Sequence, residues 1–148
     1  MSDSKTFKFL EYNDYMSVLV RFLIASLVMG TLDYIWLGFI AKNLYANELG
    51  KLLLEKPNVA AAAAFYVIYV VGVVVFVVSP ALASGSVWSA LGYGALFGLV
   101  AYATYDLTNL STVNGFTLKV ALIDMCWGVF ITAATSSITH LIISKWLA

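Results

Sequence analysis

The feature that most restricts this chain is the run VAAAAAFYVIYVVGVVVFVVS, Val59 to Ser79, which holds no charged residue. Crossing about 30 Å of hydrocarbon takes roughly 20 residues of α-helix, and this run has that length. Three further runs match it, at about Val18–Ala41, Ser86–Leu110 and Phe116–Ile143. In lipid every backbone N–H and C=O must be satisfied within the segment, so each run reads as a helix and not as an open strand. Composition agrees. Hydrophobic residues make up 62% and charged residues 11%, with mean hydropathy +0.93, whereas soluble domains sit near half apolar and a quarter charged. The expected fold is an all-α integral membrane protein, four transmembrane helices in an antiparallel up-down bundle. Residues 1–17 are expected outside the membrane and 18–148 in one four-helix domain.

The connections add detail. Pro57 and Pro80 are expected to bracket the second helix, because proline breaks the backbone ladder. The first connection, Lys42–Asn58, is rich in charge, and its LGKLLLE core is expected to form a short amphipathic helix on the membrane. The turns PALASGS and STVNG carry no charge, and short turns make neighbouring helices antiparallel. Four basic residues fall on either side of the membrane, so the positive-inside rule gives no orientation. The net charge of +0 argues against a nucleic-acid partner. The N-terminus lacks a signal-peptide pattern, so targeting is expected from the first helix, into a bacterial-type or organellar inner membrane. Cys126, the one cysteine, reads as a small packing residue, His140 as an interface residue at a helix end, and Arg21 and Lys119 as snorkelling side chains.

Three carboxylates sit where a membrane helix should carry none: Asp33 in TLDYIWLG, Asp106 in YATYDLTNLS and Asp124 in LIDMCWG. Each costs at least about 2.5 kcal/mol at a helix centre on insertion scales. With antiparallel helices, all three fall roughly 6 to 12 Å from the same end of the bundle, the end carrying the charged connection. The second helix offers no acid at this depth, but Tyr66 and Tyr69 instead. Each acid has a large or polar neighbour at i+3, on its own helix face: Trp36, Asn109 and Trp127. These six residues, Asp33, Trp36, Asp106, Asn109, Asp124 and Trp127, form the candidate pocket. Gly94 and Gly98 make a G-x-x-x-G pair that suits close helix approach.

Several uses fit such a pocket. A group of carboxylates can pass a proton or a cation. A general acid and base with tryptophan walls can work on an apolar substrate. The same residues can also be a buried polar network that fixes helix register, with Thr104, Asn109 or Tyr102 bonded to Asp106 and with indoles and phenols bonded to Asp33 and Asp124. Three aspartates without a nearby histidine or cysteine make a poor transition-metal set, though their oxygens could suit Mg²⁺ or Ca²⁺; neither metal nor cofactor is expected. The expected partners are the lipid bilayer and either further copies of the chain or other subunits of a membrane complex.

The segments LDYIWLG, FYVIYVVGVVVFVVSPAL, GALFGLVAYATYDLTNLSTV and LIDMCWG together resemble the DUF2177 family of small membrane proteins, over about Val20 to Ser144. The resemblance implies four membrane helices and points to the same acids. It implies no particular activity. A lipid- or small-molecule-handling protein, enzymatic or proton-coupled, and an accessory subunit of a larger complex are the two functions carried forward.

Overall fold

A computed structural model describes residues 4–147, with side chains from Met16 onward. Six α-helices follow one another: α1 (Ser4–Ile35), α2 (Lys42–Leu49), α3 (Val59–Val73), α4 (Ser79–Ser84), α5 (Val87–Thr112) and α6 (Leu118–Trp146). Four stretches are long and apolar enough to cross a membrane: Met16–Ile40, Val59–Ser84, Val87–Thr112 and Leu118–Trp146. The described residues contain no strand. The molecule is therefore an all-α, four-span bundle.

Side chains start the last three spans. Asn58, Ser86 and Thr117 each accept a hydrogen bond from the backbone N–H three residues on, at Ala61, Ser89 and Val120. Each cap satisfies one of the donors a helix N-terminus leaves unpaired. Gly85 closes the second span in the left-handed conformation (φ 66°), where a Cβ would be strained.

Two π turns interrupt the spans. The second helix does not end before Pro80, as its sequence suggested. It widens into a π turn at Val74–Val78, in which the Ser79 N–H reaches back to the Val74 carbonyl, and then continues as α4 with Pro80 in its first turn. Proline cannot donate to the carbonyl four residues back and clashes with it, and the wider turn moves that carbonyl away. The first span ends in a similar turn at Trp36–Ile40, closed by Ala41 N–H bonded to the Trp36 carbonyl at 2.7 Å.

The connecting helix also lies earlier than the LGKLLLE core suggested. It is α2, KNLYANEL, and Gly50 (φ 46°) ends it. Leu52 closes a single 3-10 turn, and Leu53 is already extended.

A core of Ala25, Met29, Tyr69, Val70, Val73, Val74, Val78 and Ile131 joins α1, the second span and α6. Helix α5 packs chiefly on α6, through glycine. A Cβ on Gly94 would lie 3.0 Å from Ala133 Cα and from Ser136 Oγ, one on Gly98 would meet the Gly128 carbonyl, and one on Gly128 would meet the Tyr102 ring. The G-x-x-x-G pair is thus used for close approach, with Gly128 as its counterpart. The opposite face of α6 looks outward. Cys126 is exposed and does not pack internally, since it lies about 200° around the helix from Gly128. His140 is buried at 4% exposure and is not an interface residue, because it continues the inward stripe of Thr132, Thr135, Ser136 and Thr139.

Candidate functional site

The polar residues at the α2 end of the bundle are placed by five helices, α1, α2, α3, α5 and α6. Asp33, on α1, is 5% exposed. Its Oδ2 accepts a hydrogen bond from the Tyr66 hydroxyl of α3 at 2.7 Å. Its Oδ1 accepts one from the Trp127 indole N–H of α6 at 3.0 Å. One carboxylate thereby ties three helices together. The Trp127 ring lies flat on Trp36, with centroids 4.3 Å apart and planes 6° from parallel. Trp36 stands at the start of the first π turn, beyond the regular part of α1.

From Trp36 the chain of contacts leaves the spans. Its indole N–H donates to the Tyr45 hydroxyl of α2 at 3.1 Å, and Tyr45 donates in turn to Asp124 Oδ1 of α6. Tyr66, Asp33, Trp127, Trp36, Tyr45 and Asp124 therefore form one continuous series. Burial, followed by the bond to Asp124, pushes the Tyr45 phenol above its ordinary pKa of 10.0. It is thus a fixed neutral donor at physiological pH.

Helix α2 is held on α6 by a second contact on the same face, three residues along. Glu48 pairs with Lys119 at 2.7 Å and accepts a bond from the Thr117 hydroxyl at 3.2 Å. The bond from Lys119 is the main reason the Glu48 carboxyl titrates below its ordinary 4.5. Lys119 is thus an ion-pair partner, not a freely snorkelling side chain.

Asp106 and Asn109 stand apart from this series. Asp106 is fully buried on α5, and neither of its oxygens has a hydrogen-bond partner among the described residues. One donor its sequence neighbours suggested is engaged elsewhere: Thr104 bonds the Val100 carbonyl at 2.6 Å. Asp106 lies within electrostatic range of Asp124. Among the described residues no three histidine, cysteine, aspartate or glutamate side chains are grouped as a metal ion would need.

Two hollows adjoin these acids. A cavity of about 410 Å³ opens between α3, α5 and α6, lined by Phe65, Tyr69, Ala101, Tyr102, Tyr105 and Asp124. Asp124 is the one charged group on its wall. A shallower groove of about 680 Å³ runs between α1 and α3, past Ser26, Gly30, Asp33 and Tyr66. Tyr69 joins the first cavity to the core, with its hydroxyl 2.8 Å from the Thr132 hydroxyl.

Tyr45 is the participant that sequence reasoning missed. It lies 79 residues from Asp124 along the chain, in a connection read for its charge. A usable signal was present: Ala41, Tyr45 and Glu48 recur at the spacing of one helix face.

Four apolar spans around buried acids define a polytopic α-helical integral membrane protein. The chain belongs to the DUF2177 family, described as a predicted membrane protein, whose pattern it matches over residues 18–141. No curated protein and no solved structure shows significant similarity to it.

Proposed function

We propose that this protein takes a lipid-soluble, positively charged small molecule from the bilayer into the cavity between α3, α5 and α6. The observation that carries this reading is the make-up of that wall: four aromatic rings and one carboxylate, Asp124. A volume of about 410 Å³ lies in the range of small-molecule sites. Aromatic faces attract cations such as alkylammonium groups, and Asp124 supplies the counter-charge. Asp106, within electrostatic range of Asp124, has no donor among the described residues, which makes it the group available to a later catalytic or proton-coupled step. The spans being helices, and not strands of a barrel, we assign the protein to an inner-membrane type of bilayer.

The test uses intrinsic fluorescence, since Trp36 reaches Asp124 through Tyr45. Trp88 and Trp146, both exposed, are replaced by Phe to leave the stacked pair. Dodecyltrimethylammonium added to the protein in nanodiscs should shift the emission saturably, and dodecyl sulfate should not. Asp124→Asn should weaken the response about tenfold, the equivalent of one charge-assisted contact. Equal responses to both amphiphiles, or an unaffected Asn variant, would refute the reading.

A second reading is an accessory subunit, either self-associating or within a larger membrane complex. It is favoured by Asp33, whose two oxygens are both taken by Tyr66 and Trp127, as in a helix clamp. On that reading Asp33→Asn lowers the melting temperature and Asp124→Asn leaves amphiphile binding unchanged.

A further inference from the structure

At the opposite end of the bundle, a cleft of about 410 Å³ lies between α1, α4 and α6. Its walls include Leu82, Ile143 and Leu147, which are apolar, together with Ser17, Ser144 and Arg21. Arg21 is three positions inside the apolar run that begins at about Val18, so it lies about 4 to 5 Å along the helix from that end. That is the depth at which headgroups give way to acyl chains.

A guanidinium carries five N–H donors and one positive charge. Arg21 uses one nitrogen on a neutral acceptor, the Ser79 hydroxyl at 2.9 Å. Its Nε is buried with no partner among the described residues. The one ion pair among those residues is Lys119 with Glu48, at the other end of the molecule. A cation placed this far into a bilayer requires an anion or a water-filled surround. Among the described residues no carboxylate meets Arg21, and its charge is open to a ligand.

We propose that this cleft is a specific site for an anionic phospholipid, with its phosphate on Arg21 and an acyl chain along Leu82, Ile143 and Leu147. Three features select this occupant over others. Guanidinium matches a phosphate with paired, parallel hydrogen bonds. The cleft opens between spans near a membrane face, where a phospholipid presents its phosphate and chains at matching depths. Ser144, which lines the cleft with Arg21, supplies a second polar group on its wall. The inference is independent of the cavity at the α2 end.

The experiment is native mass spectrometry of the full chain, released from nanodiscs of equal phosphatidylglycerol and phosphatidylcholine. The wild type should retain one phosphatidylglycerol per chain in preference to phosphatidylcholine. Arg21→Gln should reduce that preference about tenfold, the worth of one lost charged contact. Arg21→Lys should keep the preference in weaker form, and Ser79→Ala, which leaves the charge in place, should keep it whole. Equal retention of the two lipids by the wild type overturns the proposal, and so does an Arg21→Gln variant with unchanged preference. Displacement of the lipid by millimolar inorganic phosphate would assign the site to a free anion and overturn the lipid. Should Arg21→Gln fail to fold, the wild-type preference and the Arg21→Lys and Ser79→Ala pair decide the matter by the same criteria.

Discussion

Gly98→Ala is the most informative single change in the bundle. The added Cβ would run into the Gly128 carbonyl and stand 2.7 Å from Thr132 Oγ1. A backbone carbonyl cannot rotate out of the way as a side chain can, so α5 and α6 must separate or tilt. Overpacking of this kind costs about 1–3 kcal/mol. A clash with backbone belongs at the upper end, about 2–3 kcal/mol, and alanine returns about 1 kcal/mol through its better helix propensity, which leaves a net loss of about 1–2 kcal/mol. For a chain of this size that lowers the melting midpoint by roughly 2 to 8 °C. The control lies on the same helix: a Cβ on Gly92 meets nothing within 4 Å, so Gly92→Ala should leave the midpoint unchanged or raise it. The assay is thermal unfolding in detergent, followed by helical circular dichroism for both variants. The effect should also reach the cavity, because Thr132 bonds both the Gly128 carbonyl at 2.7 Å and the Tyr69 hydroxyl. A Gly98→Ala protein that melts with the wild type, or a Gly92→Ala protein that loses as much, would refute the close contact between α5 and α6.

Three further outcomes are expected. The Tyr45 pKa is raised on folding, so its contribution is complete below pH 10 and is lost as pH climbs through the folded value; the wild type should lose stability above pH 10 more steeply than Tyr45→Phe, and parallel curves would count against the Tyr45–Asp124 bond. The Glu48 pKa is lowered, so its small contribution is present above pH 4.5 and fades as pH falls through the folded value; melting between pH 3 and 6 should be flatter in Lys119→Met. Asp106→Asn removes a fully buried carboxylate that has no donor among the described residues, so its melting midpoint should match or exceed that of the wild type; a fall of several degrees would show that Asp106 has a structural partner.

The spans were legible because hydropathy and length act on each segment alone. Val59–Ser79 could be read as a helix without knowing its neighbours, and Asn58, Ser86 and Thr117 announce their helices by local capping chemistry. The π turn at Val74–Val78 was not legible. It answers a conflict between Pro80 and a bundle that keeps the helix going, and only the bundle's demand decides between stopping and widening. The placement of α2 escaped for a similar reason. LGKLLLE has the more amphipathic composition, but Gly50 adopts positive φ, and Tyr45 and Glu48 find their partners on α6. Those partners are distant in sequence, so the helix-face spacing of Ala41, Tyr45 and Glu48 did not by itself say which surface that face would meet.

The same distinction separates the acids. Their shared depth followed from counting residues along antiparallel helices, whereas their bonding did not. Asp33 accepts from a tyrosine and a tryptophan, Asp124 from a tyrosine delivered by α2, and Asp106 from no described residue. A network needed only to fix helix register would be expected to satisfy its most buried member first, because an unpaired buried carboxylate is the costliest arrangement in it. Here the order is reversed: the fully enclosed acid is the one without a donor, and it lies within electrostatic range of the acid that lines the aromatic cavity. Helix α2 adds to this asymmetry, since its Tyr45 occupies one oxygen of Asp124 and holds that side chain at the cavity wall. Movement of α2 would release Asp124 and disturb the stacked tryptophans together, because Trp36 and Asp124 both bond the Tyr45 hydroxyl.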